Sequence, residues 1–252
     1  MDLLGKVCIV TGGAKGIGQN IVETFYKEGA SVCIWDLDVE SLNILKKNLV
    51  EKNNKLNDKI ITQKVDVTKS SEISEAIRII LQKFSTIDVL INNVGLYNIF
   101  DITEEDEQNW DKLINTNLKS AFLCIKGVLP TMIENRYGKI VNISSISGKK
   151  ESIFASPSYC ASKAGLIGLT RCVAAQIAKY GINVNCVAPA ITDTDIISIL
   201  DDSKIEKAIK TIPLGRIGKP EDIANAVLFL VKDSSNFITG ETINVNGGAF
   251  ME

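Results

Sequence analysis

The chain contains no histidine. That absence removes hydrolysis by a serine–histidine–acid triad, cysteine–histidine proteolysis and every imidazole-ligated metal site. Cysteine occurs six times, at Cys8, Cys33, Cys124, Cys160, Cys172 and Cys186, but never as a C-x-x-C pair. Neither a redox couple nor a zinc site is indicated, and the thiols are expected to be reduced residues of the core. No apolar run reaches the roughly 18 residues of a membrane span. The start, MDLLGKVCIVTGG, has none of the basic, apolar and small-residue segments of a secretory leader. Charge of one sign is not in excess either: 28 Lys and Arg stand against 30 Asp and Glu, scattered along the chain. A basic footprint for nucleic acid or for an anionic membrane is therefore not expected. A cytoplasmic protein is expected instead, whose partners are small molecules or further copies of itself.

What the sequence does have is alternation. Short β-branched runs at Val7–Thr11, Val32–Asp36, Ile60–Val65, Val89–Asn92, Lys139–Ser144, Ile182–Ala188 and Thr242–Val245 are separated by helical patterns. Those patterns cover 16–28, 39–52, 70–84, 104–133, 158–180 and 220–231. Runs such as CIV, VLI and KIVNIS read as the continuous apolar runs of strands buried on both faces. The expectation is one α/β domain over 1–252, a Rossmann-type, doubly wound parallel sheet of about seven strands with helices on both faces. The segment ITDTDIISILDDSKIEKAIKTIPLGRIGKP is long for a connection, and 193–212 within it is expected to be a substrate-binding loop or lid.

Directly after the first strand comes TGGAKGIG, opening a helix whose apolar face carries Ile17, Ile21 and Phe25. Glycines without Cβ atoms let the backbone approach a pyrophosphate, and the helix N-terminus offers free N–H groups and partial positive charge. Strand before and helix after make Gly12, Lys15, Gly16, Ile17 and Gly18 candidate dinucleotide contacts. Asp36 ends the second strand eighteen residues after Gly18, near the offset at which an acid meets the adenosine ribose. A carboxylate there accepts bonds from the ribose hydroxyls and repels a 2′-phosphate, which favours NAD(H). Lys15 argues for NADP, since a cation in the loop attracts that phosphate. Further on, SPSYCASKAG puts Tyr159 and Lys163 four apart on one helix face, with Ser156, Pro157 and Ser158 available to start the helix. Alone, such a pair is as readily structural. The fifth strand, however, delivers Ser144 and Ser145 to the carboxyl edge of the sheet, where ligands bind in open α/β folds.

TGGAKGIG, DVT at 66–68, NNVG at 92–95, Asn117, the serine strand, YCASK, and the tail PEDIANAVLFL to ITGETINVNGG together resemble the short-chain dehydrogenase/reductase family, end to end. The resemblance implies hydride transfer between a nicotinamide cofactor and a secondary alcohol or ketone, with no metal. Tyr159 is then the proton donor and acceptor, Lys163 lowers its pKa and holds the nicotinamide ribose, and Ser145, with Ser144 as alternative, bonds the substrate oxygen. Asn117 supports a water-linked proton path to the lysine. Asp66 and Val67 resemble the adenine contacts, Asn93 and Gly95 the turn along which the cofactor passes, and Pro189, Thr192 and Thr194 an element near the nicotinamide amide. Ala190 stands where glycine is usual, which leaves the local backbone open. The pattern is similar to 3-oxoacyl-carrier-protein reductases, although Asp36 disfavours the NADPH those enzymes generally use and Tyr180 stands where a basic residue often helps dock the carrier protein; Arg136 is present. Sugars, polyols and steroid-like alcohols stay open as substrates. A homotetramer is implied, with contacts through 104–133 and 158–180. The alternatives of another kind are a non-catalytic dinucleotide sensor or scaffold, and a nucleotide-sugar epimerase or dehydratase lacking the usual longer substrate domain.

Overall fold

Continuous apolar runs have to be covered on both faces, and the protein does this with one seven-stranded parallel sheet between two helical layers. The computed structural model describes residues 1–52, 58–195, 197 and 202–252. Strands β1 (Val7–Thr11), β2 (Ser31–Asp36), β3 (Ile60–Lys64), β4 (Val89–Asn92), β5 (Gly138–Ile143), β6 (Ile182–Pro189) and β7 (Thr242–Val245) lie in the order β3-β2-β1-β4-β5-β6-β7. All six pairings are parallel. The strand order reverses between β1 and β4, the position at which such sheets open a crevice at their carboxyl ends.

The helices are α1 (Gly16–Lys27), α2 (Val39–Lys52), α3 (Ser70–Phe84), α4 (Glu107–Ile114), α5 (Ser120–Glu134), α6 (Pro157–Ile177), α7 (Asp202–Lys210) and α8 (Pro220–Val231). On one face Ile21, Val22 and Phe25 of α1 join Ile223, Val227 and Leu230 of α8 over Cys8, Val10 and Val32. On the other, Ile73 and Ile80 of α3, Cys124 and Val128 of α5 and Ile177 of α6 cover Ile9, Leu90 and Ile140.

The strands fall where the apolar runs do, but two helical expectations change. The pattern at 104–133 divides into α4, a wider π-type turn at Asn115–Lys119, and α5. It starts at 107 rather than 104 because the Asp106 carboxylate accepts the Asn109 N–H at 2.7 Å and caps α4 there. Within the expected loop 193–212, α7 forms over 202–210. Ile196 and residues 198–201 of that expected lid lie outside the described residues. Of the cysteines, Cys8, Cys33, Cys124 and Cys186 are buried as expected, whereas Cys172 is exposed and Cys160 half-buried.

A buried polar chain fixes the strands that carry the serines. Asn92 on β4 donates to Asn142 on β5 at 2.8 Å, and Asn142 donates to Thr170 of α6 at 2.9 Å. With both amides satisfied, the register Asn92↔Asn142 and the seat of α6 against β5 are set together.

Candidate active site

A cavity of about 1040 Å³ runs along the carboxyl ends of β1, β4, β5 and β6, a size ample for a dinucleotide with room for a second molecule. Gly12, Lys15, Gly16, Ile17, Asp36, Asp66, Val67, Asn93, Gly95, Ser145, Tyr159, Lys163, Pro189, Thr192 and Thr194 all line it. Gly18 and Asn117 do not.

At one end, Gly12 and Gly16 take φ of +60° and +55°, the left-handed region that glycine tolerates. Gly18 is buried, and its part is close packing: a Cβ there would stand 2.1 Å from the Gly12 carbonyl oxygen and 2.6 Å from Asn93 Nδ2. Asn93 holds the same turn from the other side, donating from Nδ2 to the carbonyls of Thr11 at 3.1 Å and Gly12 at 2.9 Å. The loop is thus clamped across the strand-order reversal, and no side chain of its N-cap residue, Lys15, bonds the start of α1. Gly18→Ala is expected to lower Tm by several degrees and weaken dinucleotide binding by about tenfold or more, because backbone must move to admit the methyl group; fluorescence titration and a melting curve check it.

Asp36 is half-buried where β2 ends. Its carboxylate accepts the N–H groups of Ala14 at 3.0 Å and Asp38 at 3.1 Å, which orients it toward the glycine loop. Asp38, two residues on, was not singled out by the sequence reading and answers the question of Lys15. The Lys15 ammonium lies 2.8 Å from Asp38 Oδ2, and that hydrogen bond, with two more from Ser41, holds the Asp38 carboxyl well below its usual range. The loop cation is therefore matched by an acid of its own. At the same end Asp66 closes a turn on Thr68, whose hydroxyl bonds the carboxylate at 2.6 Å and lowers its pKa, while Val67 is buried.

At the other end, α6 presents Tyr159 and Lys163. Ser156 caps the helix, its hydroxyl oxygen accepting the Tyr159 N–H at 3.3 Å, and Pro157 takes the first turn. Such a cap contributes about 1 kcal/mol and fixes the backbone of Tyr159 itself. Glu105 adds to it, accepting the Ser158 N–H at 3.0 Å and the Ser158 hydroxyl. The two serines now separate. Both line the cavity, but Ser144 donates to the Lys163 carbonyl at 2.7 Å and so ties β5 to α6, whereas the Ser145 hydroxyl accepts the Ser147 N–H at 3.1 Å and is near enough to Tyr159 to lower its pKa. Gly148 permits that approach, since a Cβ there would stand 2.6 Å from the Lys163 carbonyl carbon.

Burial dominates the electrostatics of the pair. Burial pushes Tyr159 up to about 12, against a smaller lowering by the Ser145 hydrogen bond. Burial pulls Lys163 down to about 8, and its ammonium donates to the Ile143 carbonyl at 2.8 Å, 5.7 Å from the Tyr159 ring centre. Burial thus disfavours the phenolate of Tyr159 and the ammonium of Lys163 alike. The Asn117 side chain is engaged by the loop after β4 and by α6. Its amide accepts the Leu96 N–H at 2.7 Å and donates to the Leu96 carbonyl at 2.9 Å and to Ser162 at 3.1 Å, so it pins the β4–α4 loop against α6. The π-type turn at 115–119 is what aims it there.

Past the nicotinamide position suggested by Lys163, Thr192 is buried and pairs with Gly218 in an isolated parallel bridge, and Thr194 contributes to the wall. Ala190 sits without strain: among the described residues only Ser85 and Arg136 combine a side chain with positive φ, so glycine is not required at 190. The donors, the left-handed glycines and the paired acid fit a dinucleotide stretched from Asp36 to Lys163.

Comparison with known proteins agrees with this geometry. A family model described as enoyl-(acyl carrier protein) reductase matches residues 12–249. The chain is 40% identical over 251 residues to the 3-oxoacyl-[acyl-carrier-protein] reductase FabG of Thermotoga maritima, covering 98% of this chain and 99% of that protein. It is 38% identical over 246 residues to the protein of that name from Chlamydia trachomatis, covering 98% of each, and 39% identical over 254 residues to that of Rickettsia conorii, covering 100% and 99%. The descriptions differ in the group reduced and agree in the class of enzyme. With serine, tyrosine and lysine meeting on one cleft and relatives matched along its whole length, the chain belongs to the short-chain dehydrogenase/reductase family, oxidoreductases that act on a C=O or CH–OH group with a nicotinamide cofactor.

Proposed function

We propose that the protein reduces a ketone, or oxidises the corresponding secondary alcohol, with NAD(H) as its preferred coenzyme. The observation that carries the chemistry is the convergence of Ser145, Tyr159 and Lys163 on one cavity wall. In this reading Ser145 and Tyr159 both bond the substrate oxygen, and Tyr159, protonated at neutral pH, delivers the proton as the carbonyl becomes an alcohol. Lys163 bonds the nicotinamide ribose and stabilises the phenolate left behind, and a second proton from solvent restores the tyrosine. Bound nicotinamide supplies or accepts the hydride. Asn117 acts as a positioning residue, through Leu96 and Ser162. Pro189, Thr192 and Thr194 border the nicotinamide, and Ile197, Lys204, Ala208 and Thr211, of the segment expected to bind substrate, line the cavity.

The coenzyme preference rests on charge. Asp36 and Asp38 stand at the ribose end and Lys15 is committed to Asp38, so a 2′-phosphate would meet uncompensated carboxylate. NADP(H) is the alternative. Replacing Asp36 by Ser is expected to lower kcat/KM for NADH by about tenfold or more and to narrow or invert the preference over NADPH. Initial rates with both coenzymes measure it, and a wild type that already prefers NADPH contradicts the reading of Asp36.

A second reading for the substrate, a 3-oxoacyl group on a carrier protein, is favoured by the names of the relatives. We further infer a cytoplasmic homotetramer: Trp110 of α4 and Phe122 of α5, 40% and 46% exposed, lie in the segment expected to meet a partner subunit.

A further inference from the structure

Two loops meet over the N-terminus of α6, and the residue that joins them is one the sequence does not mark. Tyr97, in the β4–α4 loop, sets its ring edge-on to Tyr159, with centroids 5.1 Å apart and planes at 87°. Its hydroxyl donates to the carbonyl of Phe154 in the β5–α6 loop. The neighbouring Asn98 repeats the link, its carbonyl accepting the Ser156 N–H at 3.1 Å and its side chain the Ser156 hydroxyl. The loops are thereby held as one wall beside the proton donor.

That wall is apolar where a substrate would meet it. Leu96, Tyr97, Ile146, Ile153 and Phe154 line the cavity, and Leu96 and Ile153 are 37% and 85% exposed. Three polar groups along it are turned to the protein: the Tyr97 hydroxyl to Phe154, Ser152 to the Phe154 N–H at 3.3 Å, and Lys150 to the Ala249 carbonyl at 2.8 Å, while Glu151 is exposed. A carbonyl bound to Ser145 and Tyr159 therefore has one substituent directed at aromatic and aliphatic carbon. Hydroxyl-rich substituents would lose water against that carbon surface and gain fewer partners than they lose.

We propose that Tyr97 is a specificity-determining residue, whose ring, held by the Phe154 carbonyl, forms the surface on which the apolar substituent of a ketone substrate packs, so that the enzyme selects ketones with an alkyl or ring substituent over polyhydroxylated ones. The proposal rests on the reductase reading above, and the experiment separates the two. NADH oxidation is followed with ethyl 3-oxobutanoate, ethyl 3-oxooctanoate and fructose, for the wild type, Tyr97→Phe and Tyr97→Ala. The wild type favours the octanoate ester over the butanoate and both over fructose. Tyr97→Ala lowers the octanoate-to-butanoate ratio of kcat/KM by about tenfold, through KM, with the NADH dissociation constant unchanged. Tyr97→Phe, which keeps the ring and loses the tether, retains most of the ratio. Should the alanine variant fail to fold, Tyr97→Leu reads the same ratio. A ratio unchanged in the alanine or leucine variant, or an equal loss on all three substrates, overturns the assignment of Tyr97 while leaving the reductase reading standing. A wild type that reduces none of them while binding NADH overturns that reading, and the proposal with it.

Discussion

Tyr159→Phe lowers turnover by at least about a thousandfold, the upper part of the range for loss of a positioned general acid. The substitution removes one oxygen from a half-buried ring packed against Tyr97, so neither fold nor cavity is disturbed. NADH binding therefore stays within a few-fold of the wild type. Ser145 keeps the Ser147 N–H that it accepts at 3.1 Å, which leaves the loop in place. Stopped-flow turnover and a fluorescence titration with NADH separate the two effects. A phenylalanine variant that still turns over at a tenth of the wild-type rate removes Tyr159 from the chemistry.

Lys163→Met, the second large effect, is expected to run in opposite directions for activity and stability. The ammonium is buried, and burial lowers its pKa to about 8 from 10.5. Between those values the unfolded chain binds a proton that the folded chain does not, so stability rises as pH increases through this window. Below pH 8 the full cost of the buried charge is present, on the order of 1–3 kcal/mol. Methionine fills similar space without that cost, although it leaves the Ile143 carbonyl without its donor. At pH 7 the variant is expected to melt a few degrees higher and to turn over at less than a thousandth of the wild-type rate. For the wild type, ketone reduction is expected to be level with pH up to about 8 and to fall above it as Lys163 loses its proton, while Tyr159, held at about 12, stays an acid throughout. A calorimetric melt and a pH profile of kcat/KM check both parts; an unchanged melting temperature would place the cost of the charge elsewhere.

Much of this was legible in the residues because the signals are local. Strand runs such as VCIVT and GKIVNI are mostly apolar and β-branched, as strands buried at every position under two covered faces are. The glycine loop, Asp36 and the Tyr159–Lys163 spacing are likewise written within a few residues of one another. What escaped depends on distance or on weak burial. Helix α7 is only nine residues long and has no buried residue among 203–210, so its amphipathic pattern is too short to stand out within a long connection. Asp38 escaped because the offset from the glycines is met first by Asp36; the second acid in WDLDVE is its only local trace. Tyr97 lies in a loop without periodicity, and its partner is 57 positions away. The direction of the Tyr159 shift could not come from spacing at all. It depends on how deeply the ring and the ammonium are desolvated, and burial is a property of the whole fold.

The wild type reducing an alkyl 3-oxoester with NADH deuterated at its transferable position, in ordinary water, tests the central claim most directly. The product alcohol is predicted to carry deuterium on the carbinol carbon, with its hydroxyl proton drawn from solvent by way of Tyr159. NADH binding without oxidation, or an alcohol whose carbinol carbon carries hydrogen from water, would contradict the account.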